Sequence, residues 1–514
     1  MAGVLWQYFS NEPLLLAYLL LTALLIFHAS HSAGWLSMRK NKRNLPPGPA
    51  PRFLVGNWFD FPRRDDASQY MEWEKKYHSK ILHTSCLGQH FLVLNSLEDA
   101  EVLLEKRADL YSDRPDMPMI DKMGWSNNMT FMRHRSEEWR KHRRFAQQNF
   151  RQDAVSAYHE IQTRHAHAML KGLLDTPECF EDHNKAFSIG VSMSIMYGNN
   201  VKTDDSYSRA TSDAAYMAHN LMLPTFTLLN FFPALSYIPA WFPMAVAQRM
   251  VRDTKRLTGM LVATPIEVVK NKIKTGDVDP CIVSRSLEAD GSKENEDIIS
   301  GVSFTVYTGA SDTTISATST FFYLMATHPE IQAKAQAEID HAVGVDRLPG
   351  FEDRQSLPYI DAIYREVLRW RPPDPMGIAH RAEKDDTYKG YFIPEGTVVS
   401  ANIWAMVRDE TLYPEANVFR PDRFIGADGQ LIDDDRVLAF GFGRRICVGK
   451  HVASASLYIL FVSILATFNI TKAKDADGKD IEVNDEYSDT GVVAHKKPFK
   501  CSIVPRSRIS RTLI

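Results

Sequence analysis

The sequence predicts a mainly α-helical protein with a minor β part, set behind an N-terminal membrane anchor helix. Three observations predict it. Residues 136–345 carry long amphipathic stretches at helical spacing. Strand-type runs are confined to two short regions, 81–94 and 391–400. An apolar N-terminal segment ends in a cluster of basic residues.

The chain has 514 residues, 44% of them hydrophobic, which is ample for a large core. Length alone suggests two or three domains. No internal repeat or long low-complexity run breaks the body, so one compact catalytic unit is expected. Net charge is −3 with nearly equal acids and bases, so no nucleic-acid partner is expected. The five cysteines (Cys86, Cys179, Cys281, Cys447, Cys501) are scattered and form no Cys-x-x-Cys. That argues against a zinc knuckle, a thioredoxin-type site and a secreted disulfide scaffold.

Residues 1–36 read as a retained signal-anchor. Leu14 to Phe27 is apolar apart from Thr22, and extension to Trp35 gives a spanning length. Trp6, Tyr8 and Trp35 suit the interfaces, and no Lys or Arg precedes Arg39. Arg39, Lys40, Lys42 and Arg43 then place the N-terminus in the lumen and the body in the cytosol. A cleaved signal peptide is the competing reading, but the positive n-region it normally carries is absent. Residues 37–51 form the basic stop and a stiff proline-rich hinge, Leu45 to Pro51. Residues 52–514 are the catalytic body.

Within that body, residues 52–110 read as short helices and strands, with β-type runs at Ile81–Thr84 and His90–Leu94. Glu137 to Phe150 is a basic helix with Trp139 and Arg143 one turn apart. A long helix is expected over Asp297 to Ala326, and another opens after His328-Pro329-Glu330. Tyr391 to Ser400 reads as strand, turn, strand.

Three constellations carry chemistry. Phe440-Gly441-Phe442-Gly443-Arg444-Arg445-Ile446-Cys447-Val448-Gly449 sets one cysteine in a glycine-rich loop before an apolar, helix-like run. A lone thiolate there suits an axial ligand to haem iron, where it donates electron density and favours O–O cleavage. Gly443 and Gly449 are expected to take positive φ, and Arg445 to hold a haem propionate. The bland alternative is a buried structural cysteine beside a turn. Gly309-Ala310-Ser311-Asp312-Thr313-Thr314 is a polar break inside the long helix. It can open a groove in which Asp312 and Thr313 relay protons, or it is simply a bent, solvated turn. Glu366 and Arg369 share a helix face, which by itself is worth only a few tenths of a kcal/mol when exposed.

Together these segments resemble the cytochrome P-450 superfamily. The loop fits its haem-binding pattern F-x-x-G-x-R-x-C-x-G. The helix break fits its oxygen-activating motif, departing at Ala310, where glycine is common. Glu366 and Arg369 fit its E-x-x-R motif, and Trp139 and Arg143 its W-x-x-x-R. The proline hinge and Asn402-Ile403-Trp404-Ala405 resemble fungal microsomal members. The resemblance implies a helix-rich triangular prism around a buried haem. It implies that Cys447 is the metal ligand and that Phe440, Gly441 and Gly449 frame haem b. Trp139, Arg143, Arg445 and His380 then reach the propionates, His380 ahead of its neighbour Arg381. Glu366, Arg369 and Arg423 form a buried structural network behind the loop.

It further implies a monooxygenase that places one atom of O2 in a lipophilic small molecule. Electrons come from NADPH through a separate flavoprotein reductase, with cytochrome b5 as a second possible donor. No G-x-G-x-x-G follows a strand, so the nicotinamide is expected to bind elsewhere. The reductase is expected to dock on Arg140, Lys141, Arg144, Arg444 and Lys450. The location implied is the endoplasmic reticulum membrane, single-pass, with fungal terpenoid or polyketide metabolism as the setting. Pocket segments by family position are 117–129, 221–232, 304–308, 374–378 and 491–493, apolar apart from Asp374. Two rivals are a haem-thiolate isomerase or dehydratase needing no reductase, and a membrane haem-binding sensor.

Overall fold

A computed structural model describes residues 44–198 and 228–513, except 54, 63–65, 233, 234, 236, 239, 240, 242–244, 489–491 and 508–511. The expected anchor at 1–36 and the basic stop lie outside the described residues.

Helices of twelve residues or more build the body. They are α1 (Asp66–Tyr77), α2 (Glu137–Phe150), α3 (His159–Asp175), α4 (Phe180–Tyr197), α5 (Val246–Thr275), α6 (Lys293–Thr327), α7 (Pro329–Ala342), α8 (Pro358–Trp370) and α9 (Lys450–Thr467). Ser136 and Ser292 cap α2 and α6, their hydroxyls accepting the N–H groups of Trp139 and Asn295. The centre is α6. Its last turns, Thr320–Ala326, are buried all round, as befits a helix packed by α4, α8 and α9 rather than by water. Phe321 of α6 stacks on Phe461 of α9 at 3.9 Å. The most apolar described helix is α9, and Ala455–Leu465 is entirely buried, so its hydrophobicity serves the core.

Among the described residues the minor β part is one four-stranded sheet and two antiparallel strand pairs. Strands β1 (Ile81–Cys86) and β2 (Gln89–Leu94) pair antiparallel through a two-residue turn. Leu87 and Gly88 both take positive φ there, which matches the twist of a tight hairpin. Further on come β3 (His380–Arg381), β4 (Asp386–Tyr388), β5 (Tyr391–Ile393) and β6 (Val398–Ala401). The sheet order is β1-β2-β6-β3, with β2 and β6 parallel. The strand, turn, strand expected over 391–400 is present as β5, a turn and β6, and the two strands do not pair with each other. β5 pairs back with β4, and the turn at Pro394–Gly396 delivers β6 to the other sheet. Strands β7 (Phe468–Lys472) and β8 (Cys501–Pro505) close the chain.

The proline segment is laid against this sheet rather than standing off it. Pro47 carbonyl accepts the His83 N–H at 2.9 Å, and Asn57 donates to Pro49 carbonyl at 3.0 Å. Gly48 is required there, since a Cβ would fall 1.9 Å from the His83 carbonyl oxygen.

Behind the cysteine loop lies the acid–base network. Glu366 is fully buried and accepts from Arg369 at 2.6 and 2.8 Å. Arg423 and the Arg420 N–H reach the same carboxylate at 3.2 and 2.8 Å. Arg369 and Arg423 spend their remaining donors on carbonyls of 407–418. One carboxylate and two guanidiniums thus pin the segment that leads into the loop.

Candidate functional site

The loop 440–449 is shaped by its backbone. Gly441 and Gly443 take φ of +74° and +54°, where side chains are strained. At Gly443 a Cβ would also meet Leu104 carbonyl oxygen at 2.1 Å. Gly449 departs from expectation: its φ is −85° and it serves as the cap before α9. A Cβ there would make only an ordinary contact with the Cys447 sulfur, at 3.9 Å. Phe440 is half-buried in the core, and its carbonyl accepts the Cys447 N–H at 2.8 Å.

Cys447 is solvent-accessible, yet protein surrounds it closely enough that burial raises its thiol pKa. The Gly449 N–H, Arg143 and Lys450 pull in the opposite direction. Gly309 lies in the middle of α6. It is exposed, and a Cβ there would meet nothing within 4 Å, while Phe304, Tyr307 and Ser311 around it are buried. Four residues on, the Thr313 hydroxyl donates to Gly309 carbonyl at 2.6 Å. The helix runs unbroken through this turn, so its expected groove is an exposed glycine rather than a bend. Asp312 pairs with His495 Nε2 at 3.0 Å.

Cationic side chains crowd one rim of the cysteine loop. Arg445 is pinned by the carbonyls of Ser112 (2.7 Å) and Met132 (2.6 Å) and lies over the Trp139 ring at 4.5 Å. Burial pushes its pKa down to about 10. Arg143 donates to Ile446 carbonyl at 2.7 Å, while its buried Nε has no partner. Arg114, missed in the sequence, completes the cluster. It is 4% exposed, and burial together with Arg445 and Arg143 drives its pKa well down. His380 bonds Tyr111 carbonyl through Nδ1 at 2.6 Å. Burial, then Arg114, keep its imidazole neutral. In that tautomer Nε2 carries no proton, so the ring donates to a carboxylate only once protonated. Arg381 is committed elsewhere, to Asp113 and Asp116.

These residues fit haem. An accessible thiol, a backbone with two side-chain-free positions, and three crowded guanidiniums with an orphaned donor suit a flat group bearing two carboxylates. The signal for Arg114 was present in Ser112-Asp113-Arg114-Pro115, but nothing local marks that arginine as buried. One open cleft of about 910 Å³ runs beside α6, lined by residues including Asp116, Met117, Phe131, Arg133 and Glu294.

The expected docking patch is redrawn. Lys141 turns toward α6 and pairs with Glu137 (2.8 Å) and Glu294 (2.5 Å), and Arg444 pairs with Asp109. Arg140 and Arg144 remain exposed.

Such a site belongs to the class of haem-thiolate enzymes. The Cytochrome P450 family profile matches residues 46–503. The chain is 38% identical to cytochrome P450 monooxygenase COX2 of Coprinopsis cinerea, over 93% of this chain and 92% of that protein. It is 35% identical to cytochrome P450 monooxygenase ple1 of Rhodocybe pseudopiperita, over 96% of each. It is 34% identical to tryptamine 4-monooxygenase of Psilocybe cyanescens, over 91% of this chain and 94% of that protein. The chain belongs to the cytochrome P450 family and is a haem-thiolate monooxygenase.

Proposed function

We propose that Cys447 ligates the iron of haem b and that the chain oxygenates a lipophilic small molecule. The observation carrying this assignment is the Cys447 sulfur, solvent-accessible in its glycine-bearing loop and flanked by Arg143. Arg114, Arg143, Arg445 and, when protonated, His380 hold the two propionates, with Trp139 bracing Arg445. Phe440, Gly441 and Gly449 frame the loop. When bound, haem supplies activation of O2, with thiolate push toward O–O cleavage. On the other side, Thr313 and Asp312 pass protons inward, a role the isomerase and sensor readings do not need.

The electron source is NADPH through a flavoprotein reductase, with cytochrome b5 as a second donor. Arg140, Arg144 and Lys450 are the cations left to steer it. The catalytic body sits on the cytosolic face of the endoplasmic reticulum. Exposed Phe53, Phe59, Tyr237 and Trp241 support contact with a membrane, and Trp58 packs on Phe231 between them. The setting is fungal secondary metabolism, on a terpenoid, polyketide or aromatic amine.

The test is the ferrous–CO spectrum. Wild type and Cys86→Ser give the strongly red-shifted Soret band of thiolate ligation. Cys447→Ser loses it; a normal band in that variant removes the assignment.

A further inference from the structure

We propose that Asp374 is a substrate anchor that holds the protonated amine of an otherwise lipophilic substrate. This rests on the monooxygenase reading and adds the chemical class of the substrate.

The position of the residue follows from the ties on either side of it. The carbonyl of Pro373 accepts the Ala494 N–H at 2.8 Å. The Ala494 carbonyl in turn accepts the Ser316 hydroxyl of α6 at 2.6 Å, one turn beyond Asp312 and Thr313. At the other end, Arg114 donates to the carbonyls of Ile378 and Ala379 at 2.6 and 2.7 Å. The stretch Asp374–Gly377 therefore spans from the polar turn of α6 to the arginine rim of the cysteine loop.

The carboxylate lacks a full partner. Among the described residues no side chain donates a hydrogen bond to it; only the Met376 and Gly377 N–H groups point at it. Arg114 is near enough to attract it, but donates to the carbonyls of Thr130, Ile378 and Ala379. Burial first, then repulsion from Asp66, push the Asp374 carboxyl up to about 7. Yet the residue keeps accessible surface. Pro373, Pro375, Met376 and Ile378 flank it with apolar groups.

A buried, accessible carboxylate beside a second carboxylate has one chemical complement. An ammonium restores its charged form and offsets the desolvation, a neutral donor does so only in part, and an anion is repelled. The competing role, a counter-charge for Arg114, needs no ligand at all, so the two separate by experiment.

The test uses purified holoenzyme with the intact ferrous–CO band, so failure of the monooxygenase reading is seen first and separately. The probes are 2-phenylethylamine and propylbenzene, titrated at neutral pH and read by the Soret shift. In wild type the amine binds with a blue shift, its nitrogen held away from iron. Asp374→Asn and Asp374→Ser weaken the amine about tenfold or more, or convert its shift to the red of direct ligation. Propylbenzene affinity stays within about twofold. Asp374→Glu restores part of the amine affinity. Equal amine affinity in wild type and both neutral variants overturns the proposal. So does loss of haem from both neutral variants, which assigns Asp374 to balancing Arg114.

Discussion

The Asp312 carboxylate lies 3.0 Å from Nε2 of His495, joining the polar turn of α6 to a loop from the C-terminal region. That loop is itself anchored. Ser488 and His495 exchange hydrogen bonds, and the Ala494 carbonyl takes the Ser316 hydroxyl. The acid next to Thr313 is therefore oriented by a residue far away in sequence.

His495→Ala removes that pairing. Product formed per NADPH falls and peroxide rises, with the ferrous–CO band unchanged. Asp312→Asn lowers turnover further, by about tenfold or more, because it removes the proton-carrying group itself. Unchanged coupling in His495→Ala would show that Asp312 is positioned without it.

The Thr313 hydroxyl donates to Gly309 carbonyl at 2.6 Å, which fixes its oxygen as an acceptor toward the glycine opening. Thr313→Ala is expected to retain haem and substrate binding while diverting electrons to peroxide. Thr313→Ser keeps the oxygen and most of the coupling. Stopped-flow NADPH consumption against product and peroxide yields decides the matter.

Glu366→Gln leaves two guanidiniums facing one neutral amide in a dry site. Loss of one partner of such a network costs about 3–5 kcal/mol, and haem retention falls with it. Arg436→Ala breaks an exposed pair with Glu101 and costs less than about 1 kcal/mol. Urea midpoints for the two variants give the comparison.

His83 and His90 meet edge to edge between β1 and β2, their tilted rings hydrogen-bonded with Nε2 and Nδ1 2.8 Å apart. Burial, then His90, hold His83 down to about 3; burial holds His90 down to about 4. Both folded pKa values lie below the ordinary 6.5, so the unfolded chain binds the extra protons. Stability is fully present above about pH 6.5 and is lost as pH falls toward 4. The loss is on the order of 2 kcal/mol per ring at pH 5. His90→Gln flattens the slope of urea midpoint against pH between 6.5 and 4. An unchanged slope would place the acid sensitivity elsewhere.

Membrane topology calls for protease protection of microsomes rather than glycosylation mapping. The Asn128 sequon is buried, its amide donating to the Thr308 hydroxyl, and Asn469 lies in β7 accepting from Gln336. Neither reports which side of a membrane the body occupies.

Local chemistry made the helices and the cysteine loop legible in the sequence. Glu137–Phe150 has a serine cap and a buried Trp139–His142–Ala146 stripe, and the structure reproduces those bounds. The fixed residues around Cys447 announce a cofactor loop, because few roles need one thiol among such glycines. Pairing at long range was decided elsewhere. Tyr391–Ser400 reads as strand, turn, strand and forms both strands, yet they join different sheets, because β6 pairs with β2 from far earlier in the chain. Gly449 looked like a positive-φ glycine, but the start of α9 sets its backbone. Arg114 and His495 carry no local signature, and Asp374 stands out only as the charge in an apolar segment. The residues are written in the sequence, but the burial of Arg114 and the pairing of His495 with Asp312 are set only when distant loops converge, and burial is what turns an ordinary ion into a site.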